Sequence, residues 1–304
     1  MPKQYCTGNR HADQIIKLLD KCTAAGVRPD DVYDDWLQAV EAALDAAPAH
    51  VRALAEAGKL AEDTPEAQAL FQRLAGRYRR GFLEQFAHAF VVLLDSVDRD
   101  SPEDVLGEIY MAYGFPSSWA GQFFTPMPVA RIMAQMTMDR VEAEVHERLK
   151  AAIRKSPLAE AALIAGLAAQ GEDAGRWFLN RVLPAALEYY EPINVCDPCC
   201  GSGVMFLAAA GCLPHWMTDF GLVRFYGQDI DMGCVRMARI NCRLYGLNGS
   251  GARWALALSV LELKALPEPH RTAYAEAQAA HAAGDRERVQ QIAAHVRGAQ
   301  MPLF

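Results

Sequence analysis

The sequence predicts an α/β fold: a short parallel sheet of about three strands, between a large helical N-terminal region and a C-terminal helix. Two observations carry this. Ile193–Cys196, Val223–Asp229 and Arg253–Leu258 are strand-like, and the runs Val204–Ala210 and Met232–Tyr245 between them are helix-like. That alternation is the signature of a parallel sheet with right-handed crossovers. The first strand also feeds Asp197-Pro198-Cys199-Cys200-Gly201-Ser202-Gly203, and an apolar helix starts at once. Glycines in such a turn let backbone approach a ligand, and the helix N-terminus presents free N–H groups.

Taken in order, residues 1–100 read as a helical region, with apolar residues at three-to-four spacing such as Trp36, Val40, Ala43 and Leu44. Pro48 is expected to break this pattern, and Thr64-Pro65-Glu66 to start a long helix reaching about Asp98. Its row Phe82, Phe86, Phe90, Val91, Leu94 is expected to pack in a core, with a partner surface as the other reading. Residues 101–190 form a second region. Ser101-Pro102-Glu103-Asp104 reads as a cap with Pro at the first helical position, and that helix stops at Gly114. A loop holding Gly121-Gln122-Phe123-Phe124-Thr125-Pro126 follows, then a helix from about Val129 to Met138. A helical insertion over 139–190 breaks near Pro157 and Gly171. Residues 191–266 hold the sheet, and 267–304 one C-terminal helix, interrupted near Gly284, that would cap the open sheet edge or pair with a second copy.

The chain has 304 residues, 52% hydrophobic and 22% charged, with net charge −7. An acidic chain is a poor tight binder of nucleic acid alone, so DNA binding is expected to be weak. Arg73, Arg77, Arg79 and Arg80 form the densest basic cluster, read as a solvated helix face. Eight cysteines, three of them at the glycine loop, have no zinc spacing, so no metal is expected. Unpaired thiols suit the cytoplasm. No apolar run approaches the roughly 20 residues that span a bilayer, so no membrane is expected.

The loop is neither a P-loop nor G-x-G-x-x-G. No Lys follows Gly203, and Asp197 would repel phosphates. It suits a cation or a ligand rich in donors, such as an amino group. Asp229 ends the second strand, where a carboxylate accepts hydrogen bonds from a ribose diol. The other reading of Asp229, a helix cap, is better filled by Asp231.

Together these segments resemble adenine-N6 DNA methyltransferases, most closely the modification subunits of type I restriction–modification systems. Asp104-Val105-Leu106-Gly107-Glu108-Ile109-Tyr110-Met111 and Gly121-Gln122-Phe123-Phe124-Thr125-Pro126 look like the family's approach to its S-adenosylmethionine site. Asp197–Gly203 is similar to the family's D-P-A-C-G-S-G loop, with Cys199 in place of alanine. Gly227-Gln228-Asp229-Ile230-Asp231 resembles its ribose-binding strand end. The resemblance implies a partial Rossmann-like methyltransferase sheet with S-adenosylmethionine as cofactor. It implies that Phe124 and Thr125 contact the methionine part, that Asp197, Gly201 and Gly203 line the cofactor, and that Asp229 holds the ribose.

The resemblance also fails in places. The family grips an extruded adenine with a [DNS]-P-P-[YFW] loop, and none of the 16 prolines here adjoins another. Ala257, Leu258 and Ser259 stand where an acidic residue would reach the cofactor's adenine. No residue is therefore assigned as catalytic. The chain is expected to bind cofactor but act through a protein partner, as a truncated or degenerate relative that interferes with or regulates a restriction–modification or defence complex. The alternatives are an adenine methyltransferase completed by a second polypeptide, and a relict scaffold that binds nothing.

Overall fold

The computed structural model describes residues 7–78, 80–114, 124–167, 172–249 and 268–299. It is mostly helical, with a small two-stranded parallel sheet among the described residues. The chain divides into two units. One is Met1–Asp139 with Asn194–Gly251; the other is Arg140–Ile193 with Ala252–Phe304.

The first unit begins with α1 (Arg10–Cys22), capped by the Asn9 side chain, which accepts from His11 N–H and Ala12 N–H. Its buried face is Ala12, Ile15, Ile16, Leu19 and Cys22, the spacing of one helical stripe. Then come α2 (Pro29–Ala57), α3 (Pro65–Arg77) and α4 (Arg80–Asp95). These join α5 (Val105–Tyr113) in one core with Tyr33, Trp36, Leu37, Phe86 and Ile109 at its centre. Each such side chain withdrawn from water contributes about 1.5–3 kcal/mol.

Three expectations fail here. Pro48 does not end a helix; it lies inside α2. Proline there costs an internal hydrogen bond, about 3 kcal/mol, which the buried run Val32, Tyr33, Trp36, Leu37, Val40 on the same helix offsets. The stretch from Pro65 is two helices, because Tyr78 is extended (φ −116°, ψ 140°). Its ring is buried and its hydroxyl donates to Asp35 at 2.9 Å, which an unbroken helix would not allow. Arg73 and Arg77 are not an idle basic face. They donate to the same buried Asp35 at 3.0 and 2.8 Å. The aromatic row divides: Phe86 is buried and Phe82 and Phe90 pack against the core, while Val91 and Leu94 are exposed.

The cap of α5 is Asp104, three residues later than Ser101, and the helix ends at left-handed Gly114 as expected. The helix α6 (Met127–Met138) buries Ala130, Ala134 and Met138.

In the second unit, α7 (Val141–Lys155), α8 (Pro157–Gly166), α9 (Glu172–Trp177), a π-helical stretch (Phe178–Val182) and α10 (Leu183–Leu187) make up the insertion. The first unit then holds β1 (Ile193–Asp197), α11 (Val204–Ala210), α12 (His215–Asp219), β2 (Val223–Gly227) and α13 (Met232–Leu244). The short α12 has no counterpart in the sequence reading. The third strand expected over Arg253–Leu258, and Ala257–Ser259 with it, lie outside the described residues. The C-terminal region is two helices, α14 (Glu268–Ala282) and α15 (Arg286–Ala299), separated at Gly284 (φ 74°). They pack on α8 and on each other, burying Ala277, Val289 and Ile292.

Candidate functional site

The glycine loop is held from below by the sheet. Asp197 ends β1; its carboxylate accepts from Cys199 N–H at 3.0 Å, and its carbonyl accepts from Gln228 N–H at 3.2 Å. The Gln228 carbonyl in turn accepts from Cys200 N–H at 3.0 Å. The loop thus continues the β1–β2 ladder for a few residues past the strands. It closes with Gly203 N–H donating to the Cys200 carbonyl at 2.8 Å. Gly203 then caps α11 at φ 87°, where a side chain would be strained and would press on Ala238 Cα at 3.3 Å.

From the other side the loop is tied to α5 and α13 by a buried polar cluster. Ser202 donates to the Asp104 carboxylate through a short hydrogen bond. Asn241 Nδ2 donates to Asp104 at 3.1 Å and to the Ser202 carbonyl at 2.9 Å. Gly107 N–H donates to Asp104 at 3.0 Å. Asp104, Ser202 and Asn241 are 5%, 1% and 2% exposed, so their polar atoms are satisfied inside the fold, by one another and by Gly107 N–H. Burial raises the Asp104 carboxyl above its usual range, while the three donors pull it back. Gly107 makes the approach possible. A methyl there would meet Asp104 Oδ2 at 2.1 Å and Ser202 Oγ at 2.7 Å.

Asp229 accepts from Gly201 N–H at 3.0 Å and from Asp231 N–H at 3.0 Å. Asp231 is the cap of α13, accepting from Gly233 N–H at 2.7 Å and from the Tyr110 hydroxyl at 2.7 Å. The helix-cap reading of Asp229 is therefore set aside. Phe124 stacks on Tyr110, centroids 5.3 Å apart at 8°, with its ring edge 3.3 Å from where a Gly201 side chain would begin. Ile230 and Met232 beside Asp229 are 93% and 65% exposed.

A cavity of about 460 Å³ opens beside this assembly. Asp104, Gly107 and Glu108 of the α5 segment line it, together with Phe124, Thr125 and Pro126. Burial, then the nearby Asp104 and Glu103, pushes the Glu108 carboxyl up to about 7. Burial likewise pushes the Cys200 thiol up to about 11, an unreactive state, whereas Cys199 is exposed. Among the described residues no group of three His, Cys, Asp or Glu is placed to hold a metal ion. No helix among them is long and apolar enough to cross a membrane.

The six residues singled out by sequence thus lie in one neighbourhood. Phe124 and Thr125 line the cavity, Gly201 lies under the Phe124 ring, and Asp197, Gly203 and Asp229 shape the loop. Sequence reasoning missed Asp104 as more than a cap, and missed Ser202, Asn241 and Glu108. Asn241 carried a signal: it is polar within the buried stripe Met237, Ala238, Ile240.

Residues 163–267 match the N-6 DNA methylase family. The match spans about a third of the chain and supports the adenine-N6 DNA methyltransferase family. It takes in Asp197, Gly201, Gly203 and Asp229, and begins after Phe124 and Thr125. No curated protein and no solved structure matches the chain.

Proposed function

We propose that this chain binds S-adenosylmethionine in the cavity beside the glycine loop, as the donor half of an adenine-N6 DNA methylation system. The observation that carries the proposal is the loop itself. Its backbone is fixed from two sides, by the Gln228 ladder and by the Asp104 cluster, next to a carboxylate and a stacked aromatic pair. Preorganised backbone beside a carboxylate is what a neutral, donor-rich ribose and a cationic amino-acid end require. The residues fit the ligand: Asp229 turns a carboxylate to the loop edge, Ile230 offers exposed apolar surface for a base, and the acidic lining of the cavity suits positive charge. The cofactor, when bound, supplies a methyl group activated by its sulfonium.

The acceptor half is a separate matter. No Pro-Pro-aromatic loop occurs within these residues. A site that cannot orient an amine forgoes the roughly 7–11 kcal/mol that positioning contributes in favourable cases. The base-gripping groups therefore come from outside these 304 residues, and we assign the chain a protein partner within a restriction–modification or related defence complex.

Calorimetry with S-adenosylmethionine tests the first statement; absence of heat at millimolar ligand would leave a non-binding scaffold. A tritiated-methyl assay on DNA, with and without cell extract, tests the second. Label is expected in DNA only with extract, and label transferred by the purified chain alone would refute the need for a partner.

A further inference from the structure

One helix and one cleft of the first unit are both left open, and their chemistry matches. The helix is α6. Its small residues Ala130 and Ala134 are buried, with Met138, and the helix packs on α11. Val129, Ile132, Met133 and Met136 stand on the opposite side at i, i+3, i+4 and i+7, and are 47% to 78% exposed. A helix that is apolar on both faces belongs inside a core. No polar residue interrupts this stripe. The one charge of α6 is Arg131, which donates to Ser101 Oγ at 3.2 Å and to the Pro102 carbonyl at 2.9 Å. The cleft, of about 250 Å³, is formed by α2, α3 and α4. Trp36, Ala39 and Ala43 of α2 and Leu83, Ala87 and Phe90 of α4 line it, each set at helical spacing. Exposed Leu94 extends the α4 row by one more turn. The lining carries no charged side chain, and its one polar group, Trp36 Nε1, already donates to the Phe86 carbonyl at 3.1 Å.

We infer that the α6 stripe of one copy of this chain docks in the α2–α4 cleft of a second copy. Within one molecule the stripe is exposed while the cleft is open, so neither covers the other and the occupant comes from outside. The chain itself offers an occupant of the right kind. Anchors at i, i+3, i+4 and i+7 are what an apolar groove receives from a helix. Ile132, Met133 and Met136 are large where Ala39, Ala43 and Ala87 of the cleft are small, the alternation by which helices interdigitate. Val129 to Met136 and Trp36 to Ala43 each span about 10 Å of helix, so the lengths agree. The net charge of −7 makes two copies repel, but neither of these faces bears a charged side chain. The contact is heterologous, with each copy carrying both halves. A stable interface engages about 20–30 residues a side, more than the stripe and the lining provide, so this contact forms only in concentrated protein and is reversible. It does not depend on what the cavity beside the glycine loop binds.

The test is sedimentation equilibrium of the full chain from about 1 μM to about 1 mM, the weak end of the affinity scale. The weight-average mass of unmodified protein is expected to rise with concentration above that of one chain. Ile132→Glu combined with Met136→Glu blocks the stripe, and Ala87→Glu blocks the cleft. All three positions are exposed, so circular dichroism and the urea midpoint should match those of the unmodified chain. Each variant alone should remain a monomer. Mixed together they should associate one to one, through the intact stripe of one and the intact cleft of the other. Because both altered faces carry carboxylates, attraction between them cannot imitate this rescue. Unmodified protein that is monomeric throughout, a variant that associates as the unmodified chain does, or a mixture that stays monomeric would each overturn the inference.

Discussion

Asp229 and Gly107 show how few atoms define the loop. Asp229 holds Gly201 N–H and Asp231 N–H, each at 3.0 Å, and in the proposed function it also accepts from the ribose. Asp229→Ala should weaken S-adenosylmethionine by about 1–3 kcal/mol, the worth of a charged hydrogen bond, as read by calorimetry. Gly107→Ala acts by crowding, since its methyl would lie 2.1 Å from Asp104 Oδ2. The Asp104 cluster must open to admit it, and about 1–3 kcal/mol of stability should be lost in urea unfolding. Glu108 gives a pH signature. Its folded pKa is raised from 4.5 to about 7. Between those values the folded chain holds a proton that the unfolded chain has released, so stability must fall as pH rises through this window. The urea midpoint of unmodified protein, relative to Glu108→Gln, should therefore be lower at about pH 8 than at about pH 5; the opposite trend would contradict burial of this carboxyl.

At the scale of elements, the Asp35 cluster determines where α3 ends. Removing the carboxylate leaves the Tyr78 hydroxyl buried without its acceptor, while Arg73 and Arg77 are 47% and 34% exposed and can turn to water. Asp35→Ala should cost about 1–3 kcal/mol, less than breaking a fully enclosed ion pair. This junction was illegible in sequence, because the break at Tyr78 is imposed by a contact 43 residues away rather than by a local stop signal. Pro48 misled in the opposite direction: a strong local breaker yields where tertiary packing holds the helix on its N-terminal side. The helices with side-chain caps and glycine stops were read most closely, as at Gly114 and Asp231. The glycine loop was legible because its chemistry is contiguous. Its supports, Asp104 and Asn241, were not, being joined only in three dimensions.

For the molecule as a whole, the site belongs to the unit Met1–Asp139 with Asn194–Gly251. Ligand at about one hundred times its Kd adds about 2.7 kcal/mol to the stability of whatever binds it. Hydrogen exchange should accordingly slow along α5, α11 and α13 when S-adenosylmethionine is present; unchanged exchange in all three would argue against binding there. The same arrangement fixes when in its life the protein acquires a site. Ser202 and Asp104 lie 98 residues apart in the chain, and Asn241 lies 137 from Asp104. A nascent polypeptide still inside the ribosome at residue 241 has every glycine of the loop and none of its rigidity. If the loop binds the methyl donor as proposed, a chain that has not yet released residue 241 is blind to it.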